Sequence, residues 1–251
     1  MKILDQSLCH LDGLSPMTEI SLRNRGIRNT RQLIDQVDTF FSPKHAERLR
    51  KSYYRLELAR QLDLVDILVN SLPCGHRVRV LGDYYQSALF LDIETTGTQR
   101  NAQITCISTY RDGQLNSYVQ GRNLDDFLYE WAQAKVVVAF NGKRFDLPHL
   151  QKAFNLATLP AQIDLMDEAR HYGYNGGLKA IEYQIGFQRK KSVCNDGKAA
   201  IHFWEKYHNT NDINALIDLL HYNAEDVRIL TVLWRIILKH SLENHEWRQS
   251  P

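Results

Sequence analysis

The chain has 251 residues, of which 43% are hydrophobic, so it can bury a sizeable core and is expected to be globular. Its 31 basic and 29 acidic residues nearly cancel to a net charge of +2, so bulk charge alone does not identify a nucleic-acid-binding protein. The 4 cysteines are far apart and include no Cys-x-x-Cys pair, which argues against a disulfide framework and against a structural zinc site.

The charge is distributed unevenly along the chain. Residues 1–80 have a net charge of +4, and the remaining residues have a net charge of −2. This distribution fits an N-terminal part that helps to bind an anionic polymer and a C-terminal part that carries metal-binding carboxylates. No apolar run is long enough to cross a bilayer, and Met1–Gln6 is interrupted by acidic and polar residues, unlike a signal peptide. We therefore expect a cytoplasmic protein with no membrane partner.

Short helices around tight turns are predicted at the start of the chain. Gly13 and Pro16 mark a hairpin, a helix over 17–25 ends at Gly26, and Thr30 is predicted as the N-cap of the next helix. This pattern resembles a helix-hairpin-helix unit, a family that binds the DNA backbone. The second glycine of that motif is missing here, so a purely structural helical module remains the alternative to a nucleic-acid contact.

A long helix is predicted from Pro43 to about Asn70, and Arg77–Val80 alternates like a short strand. The pattern then changes to strands and helices. We place the domain boundary near this point, with a helical module over 1–80 and a second domain over 81–251.

The pattern of the second domain predicts an α/β fold with a mixed sheet flanked by helices. An antiparallel meander is predicted from strands at 89–94, 104–110 and 115–119, and a buried strand at 135–140 indicates a sheet covered on both faces. Helices are predicted at 123–133, 146–156, 164–172, 178–186, 199–207 and 211–240.

Asp92 and Glu94 interrupt the apolar run of the first of these strands. Because strand side chains alternate between faces, both carboxylates point to the same side. Two like charges at the edge of a core repel each other and resist losing water, and a hard divalent cation removes that cost. The pair therefore predicts half of a metal site, with a solvated strand end as the alternative.

Two later segments bring further acids towards that strand end. Asp146 follows the buried strand, and with Pro148 two residues later it also looks like a helix N-cap. Tyr222 and Asp226 are spaced i and i+4 on the last helix, so they share a face. Four acids from three distant segments form a much rarer coincidence than one Asp-x-Glu pair.

These three motifs are Asp92-x-Glu94 before Thr-Thr-Gly, Asn141-x-x-x-Phe145-Asp146, and Tyr222-x-x-x-Asp226. Together they resemble the exonuclease motifs of the DEDD (DnaQ-like) 3′→5′ exonuclease superfamily, and the chain is similar to the bacterial YprB-type ribonuclease H-like family. The resemblance implies an RNase H-like fold and a two-metal site.

The resemblance also assigns roles to the acids. It implies that Asp92, Glu94, Asp146 and Asp226 bind two divalent cations, Mg²⁺ or Mn²⁺, that act in a two-metal hydrolysis. The family divides into tyrosine and histidine types, and this sequence fits both. Helical geometry places Tyr222 beside Asp226 and turns the neighbouring His221 about 100° away, which favours Tyr222. A neutral imidazole is the better base near pH 7, which favours His221.

Secondary candidates for substrate binding are Asn141, Lys143 and Lys179, each with a turn or a solvated surface as the alternative. The basic segment Arg189–Lys191 is a further candidate for guiding a strand. Asp164 is interpreted as a helix N-cap rather than a metal ligand.

The function that the resemblance implies is a metal-dependent 3′→5′ exonuclease that hydrolyses phosphodiester bonds at single-stranded nucleic-acid ends. Two alternatives stay open. One is a structure-specific endonuclease or ribonuclease of the same fold, and the other is a catalytically silent nucleic-acid-binding module. The choice between DNA and RNA and the identity of any protein partner are not encoded in these patterns.

Overall fold

The computed structural model describes residues 2–99, 101–189 and 199–243. The chain forms two compact units: one comprises residues up to Tyr85 together with those from Ile236 onward, and the other comprises Gln86–Arg235. Among the described helices, none has the length and apolarity that a bilayer crossing requires. The predicted boundary near residue 80 stays a prediction.

The first unit is helical. Its helices are α1 (Ile3–Gln6), α2 (Pro16–Asn24), α3 (Thr30–Asp35), α4 (Val37–Phe40), α5 (Pro43–Gln61), α6 (Val65–Ser71) and α7 (Leu81–Tyr84), with a 3-10 helix at Arg77–Val80 before α7. Ser15 caps α2 by accepting from the backbone N–H of Thr18, as expected for a serine before a proline at the first helical position. Gly13 has a φ of +88°, so the predicted hairpin turn uses a left-handed residue.

Three local predictions for this unit are wrong. The N-cap of α3 is Asn29, whose side chain accepts from the backbone N–H of Gln32, and Thr30 is the first helical residue instead. The long helix is broken into α5 and α6 at Asp63, where φ is +54°. Arg77–Val80 is a 3-10 helix rather than a strand, and Val78, Arg79 and Val80 are all buried, so the alternation of residue types does not separate a buried face from an exposed one.

The second unit contains a sheet whose strands, within the described residues, are β1 (Ala88–Thr95), β2 (Ile104–Arg111), β3 (Gln114–Val119), β4 (Val136–Ala139) and β5 (Ala161–Asp164), in the order β3-β2-β1-β4-β5. β1, β2 and β3 form the predicted antiparallel meander. β4 is parallel to both β1 and β5. The strand β5 was not predicted. The mixed sheet confirms the predicted α/β fold class.

The helices of this unit are α8 (Phe127–Trp131), α9 (Asp146–Phe154), α10 (Leu165–Arg170), α11 (Leu178–Gln184), α12 (Ala199–Thr210) and α13 (Ile213–Glu243), with a 3-10 helix at Leu124–Asp126 before α8. From Ile236 onward, α13 belongs to the first unit. The helices pack on both faces of the sheet, as the continuous apolar run of β4 predicted.

Alternation along β1 divides its side chains between two cores. Leu89, Leu91 and Ile93 join one core with residues of β2, α8 and α9, including Phe127 and Leu147. The opposite face carries α12 and α13, whose core includes Cys106 of β2 beside Leu219 and Tyr222. Cys106 lies directly opposite Glu94 in the strand register, so Asp92 and Glu94 share the face that α13 covers.

Candidate metal centre

The parallel pairing of β1 with β4 brings the predicted motifs to one edge of the sheet. Both strands end at this edge, so the segment after β1 and the segment after β4 emerge side by side. Asp92 and Glu94 lie near the end of β1, and Asp146 is the first residue of α9 after β4. Asp226 reaches the same edge from the middle of α13.

The carboxylates of Asp92, Glu94 and Asp226 are brought together as predicted. Each offers an oxygen that lies within 4.8 Å of the others. Asp146 lines the same cleft, which has a volume of about 500 Å³, but in the described part of the chain it is not a member of that three-residue group. The structure therefore places all four acids in one cleft and three of them in direct proximity.

Asp146 has a second contact that the sequence did not indicate. Its Oδ1 accepts a hydrogen bond from the backbone N–H of Ile93 at 3.2 Å, and the residue is only 3% exposed. The alternative interpretation of Asp146 as a helix N-cap is wrong, because the N-cap of α9 is Phe145 and Asp146 is the first helical residue. Asp146 thus ties the start of α9 to the strand that carries Asp92 and Glu94.

The loop between β4 and α9 is held by Asp164. Its carboxylate accepts from the backbone N–H groups of Asn141 at 2.8 Å and Lys143 at 3.3 Å, and it caps α10 by accepting from Met166 at 3.1 Å. These bonds fix Asn141 in the left-handed region, with φ at +59°. The interpretation of Asp164 as an N-cap is therefore in accord with the structure, and both of its carboxylate oxygens accept backbone hydrogen bonds.

Asn223 was not singled out from the sequence, although it lies on the same helix between Tyr222 and Asp226. It is fully buried, and its Nδ2 donates to Asp92 Oδ2 at 2.6 Å. Its Oδ1 in turn accepts a weak bond from the Cys106 thiol at 3.7 Å. This chain orients one oxygen of Asp92. The signal available in the sequence was the i, i+3 spacing of Asn223 and Asp226 on one helical face.

Arg189 contacts the acid cluster directly. Its guanidinium forms ion pairs with Asp226 and, at 2.5 Å, with Glu182 of α11. Arg189 belonged to the predicted basic segment, but its pairing with Asp226 and the part played by Glu182 were not foreseen. The other two residues of that segment, Lys190 and Lys191, lie outside the described residues. Arg170, which lines the acid cleft, was not predicted either.

Tyr222 is buried beside this cluster, whereas His221 is exposed. Two cations face the Tyr222 ring: Lys179 Nζ lies 5.1 Å from the ring centroid and the Arg189 guanidinium carbon lies 5.5 Å from it. Such cation–π contacts fix the ring in place. Lys179 is thereby brought to the site, whereas Lys143 presents only its backbone N–H to Asp164 and is itself exposed.

Burial and mutual repulsion make the ionised cluster costly. Burial, with repulsion from Asp226, raises the pKa of Asp92 well above its ordinary value and the pKa of Glu94 to about 8. Burial raises the pKa of Asp146 to about 7. For Asp226, burial raises the pKa to about 6 although the Arg189 guanidinium offsets part of this effect.

The donor set matches a hard divalent cation. Mg²⁺ and Mn²⁺ prefer carboxylate oxygens, and a cation among these acids would relieve the repulsion that raises their pKa values. The side-chain oxygen of Asn141, which lines the same cleft, is also buried without a hydrogen-bond partner among the described residues. Asp92, Glu94 and Asp226, with Asp146 beside them, therefore fit the predicted metal site.

Comparison with known proteins agrees with this architecture. The family model described as RNase H superfamily matches residues 89–237, which is more than half of the chain. The chain therefore belongs to the RNase H superfamily, and the RNase H-like part of the predicted resemblance is confirmed. No curated protein matches the chain. Superfamily membership supports a nuclease that binds nucleic acid, and an acidic cluster of the kind that can hold a metal ion is present.

Two solved structures are similar to parts of the chain. The family B DNA polymerase from the hyperthermophilic archaeon Pyrobaculum calidifontis has 20% identity and a TM-score of 0.48, with 60% of this chain covered. The chain spans about a quarter of that polymerase, 24% of its length. Brucella melitensis NrnC has 18% identity and a TM-score of 0.33, with 68% of this chain and 92% of that protein covered.

Proposed function

We propose that this protein is a divalent-metal-dependent exonuclease that removes nucleotides from the 3′ end of single-stranded nucleic acid. The observation that carries the proposal is the meeting of three carboxylates from β1 and α13 within 4.8 Å, in a cleft that Asp146 also lines. Superfamily membership supports a nuclease, and the three motifs support the DEDD type. The 3′→5′ direction rests on the motif resemblance.

The acids have one task in this mechanism, which is to hold divalent cations. Asp92, Glu94, Asp146 and Asp226 would bind them through carboxylate oxygens, and Asn223 would keep Asp92 oriented through its 2.6 Å hydrogen bond. When bound, such ions activate water and neutralise charge at the phosphate that is cut.

Tyr222 has a positioning part in the proposed reaction. Burial raises the pKa of its phenol above the ordinary value, and repulsion from Asp226 adds to the effect. The phenol is therefore protonated at neutral pH and acts as a hydrogen-bond donor to an incoming water or phosphate oxygen. His221 is exposed on the neighbouring helical position, so the geometry favours Tyr222 over His221.

The cations around the cleft suit an anionic substrate. Lys179 and Arg170 stand near the acids, and Arg189 already neutralises Asp226. A metal ion at Asp226 would compete with the Arg189 guanidinium for that carboxylate, and a guanidinium freed in this way is suited to bind a phosphate oxygen. Arg189 is therefore proposed to contact the substrate in the metal-loaded protein.

A gel time course tests the proposal. Single-stranded DNA and RNA, labelled at the 5′ end, are incubated with wild type and with Asp92→Asn in Mn²⁺, in Mg²⁺ and in EDTA. We expect a ladder that shortens from the 3′ end, requires the metal and is absent for the variant. Asp125→Asn, at an exposed aspartate outside the cleft, is the matched control and should retain full activity.

The same assay separates the alternatives. A circular single strand has no end, so its cleavage would replace the exonuclease with an endonuclease of the same fold. Tight binding of the linear strands without any cleavage in either metal would favour a silent binding module. Equal activity of wild type and Asp92→Asn would refute the metal site itself.

A further inference from the structure

A second cleft of about 500 Å³ lies in the RNase H-like unit and begins where β1 ends. Thr96, at its edge, follows Glu94 by two residues, which corresponds to about 7 Å of extended chain. The backbone of Thr96 is fixed there because its N–H donates to the Gln103 carbonyl at 2.9 Å. The cleft therefore begins at the same end of β1 as the acid cluster.

Aromatic rings from α12 form one wall of this cleft. The ring centroid of Trp204 lies 5.7 Å from that of Tyr207 and 5.8 Å from that of His208, with which it is stacked. Trp204 is buried in the same core as Tyr222, so the wall is anchored in the packed interior. His208 is exposed and Tyr207 is half-buried, so both present ring surface to a ligand.

A guanidinium holds Tyr207 in position from outside the cleft. Arg122 Nε donates to the Tyr207 phenol oxygen at 3.0 Å, and its guanidinium carbon lies 5.5 Å from the centre of the Tyr207 ring. Arg122 is exposed, so the remaining guanidinium donors face solvent beside the cleft. This arrangement gives a fixed aromatic face with a positive charge at its margin.

Neutral hydrogen-bonding groups complete the lining. Gln120 Nε2 donates to Gln103 Oε1 at 3.1 Å, so this amide pair can still offer the Gln103 Nε2 donors and the Gln120 Oε1 acceptor to a ligand. Glu205 adds a carboxylate, and the described residues that line the cleft include no lysine or arginine. A phosphate is therefore disfavoured inside, whereas a flat, neutral group with donors and acceptors on its edge is suited to it.

We propose that this cleft binds one unpaired nucleobase of the strand whose phosphate lies at the acid cluster. This inference rests on the proposed exonuclease function and adds to it a base-stacking subsite. Stacking on Tyr207 and His208 tolerates every base because each has a π-face, whereas the amides contact its edge. Arg122, at the margin, is placed to contact the adjoining phosphate.

Abasic substrates test the subsite. Single strands of DNA and of RNA carry one abasic residue at each of the last four positions from the 3′ end, and KM and kcat are measured for each. For wild type, we expect one abasic position to raise KM by about five- to 150-fold, the range for loss of one stacked base. The intact strand should show a similar rise in KM with Tyr207→Ala or His208→Ala.

The decisive experiment combines the abasic substrate with the Tyr207→Ala or His208→Ala variant. In Tyr207→Ala or His208→Ala, the sensitive abasic position should cause little further loss, because base and ring are removed from the same contact. His208 is exposed, so its truncation is not expected to unfold the protein. Tyr129→Ala, at a tyrosine that is 73% exposed on α8, is the matched control and should keep the full abasic penalty.

Two outcomes overturn the inference, and they are distinguishable. If wild type cuts metal-dependently but no abasic position matters, or the penalty persists undiminished in both cleft variants, the subsite is refuted and the exonuclease stands. If wild type cuts no linear strand under conditions where its melting temperature shows a folded protein, the exonuclease is refuted and the subsite falls with it.

Discussion

Replacing Asp92 by asparagine should stabilise the metal-free protein at alkaline pH while abolishing its activity. Burial, and then repulsion from Asp226, raises the pKa of Asp92 well above its ordinary value. Asparagine removes the charge but keeps an oxygen for the hydrogen bond from Asn223. Active sites are often destabilised by the groups that function requires, so substitutions there can gain stability while losing activity.

The pKa shifts of the neighbouring acids indicate how much free energy the buried charges cost. Each pKa unit corresponds to about 1.4 kcal/mol. With a pKa of about 8 against an ordinary 4.5, ionising Glu94 in the folded protein costs on the order of 5 kcal/mol, and Asp226 costs on the order of 3 kcal/mol. Asp92→Asn removes only one of several interacting charges, so we expect a gain of about 1–2 kcal/mol.

The raised pKa values of these carboxyls determine how the stability of the metal-free protein changes with pH. A carboxyl whose pKa is raised on folding contributes full stability below its unfolded pKa, near 4, and this contribution is lost as the pH rises through the folded pKa. With folded values of about 6 for Asp226, about 7 for Asp146 and about 8 for Glu94, metal-free wild type should lose stability between about pH 4 and pH 8. The advantage of Asp92→Asn should therefore be large at pH 8.5 and small at pH 5.5.

Thermal denaturation in EDTA measures this effect. At pH 8.5, Asp92→Asn should melt about 2–8 °C above wild type, whereas the exposed control Asp125→Asn should match wild type. Mn²⁺ at a hundred times its Kd should stabilise wild type by about 2.7 kcal/mol and the variant by much less. A lower melting temperature for the variant at pH 8.5, or equal stabilisation of both proteins by Mn²⁺, would refute the reasoning.

Other substitutions test the remaining parts of the site. Arg189→Gln removes the cation that competes for Asp226, so the Mn²⁺ concentration for half-maximal stabilisation should fall several-fold while KM for the strand rises; weaker Mn²⁺ binding would contradict this. Tyr222→Phe should lower kcat by about tenfold or more with unchanged Mn²⁺ binding, and His221→Ala should stay within about twofold of wild type; the reverse order would make histidine the acting residue. In the helical unit, burial raises the pKa of Glu19, but its ion pair with a buried guanidinium and two backbone hydrogen bonds lower it to about 2. Glu19 should therefore contribute about 3 kcal/mol above pH 4.5 that is lost as the pH falls to 2, and Glu19→Gln should flatten acid denaturation in that window.

The sequence predicted those parts of the site in which chemically distinctive residues recur at the spacing of a strand or a helix. The alternation of Asp92 and Glu94 along one strand placed both acids on one face, and the i, i+4 spacing placed Tyr222 beside Asp226; both relations depend only on local geometry. The meander and the buried strand were predictable for the same reason. The roles of these residues in catalysis remain predictions until they are measured.

The errors arose where tertiary contacts override local pattern. Arg77–Val80 alternates like a strand, but Arg79 is buried because Glu19, distant in the chain, pairs with it. The strand Ala161–Asp164 has 4 residues, too few to show a period. The pairing of Arg189 with Asp226 spans 37 residues and leaves no local trace.

The hydrogen bond between Asp146 and Ile93 has a consequence for how the site is best probed. β1 pairs with β4 only from Ala88 to Phe90, so the last residues of β1 extend beyond the paired part of β4. The Asp146 carboxylate accepts a hydrogen bond from the backbone N–H of Ile93, which lies three residues beyond the last β1 residue that pairs with β4. Asp146→Ala would therefore leave the Ile93 N–H without this acceptor as well as remove a charge. Asparagine keeps the acceptor, so only that replacement reports on the charge alone.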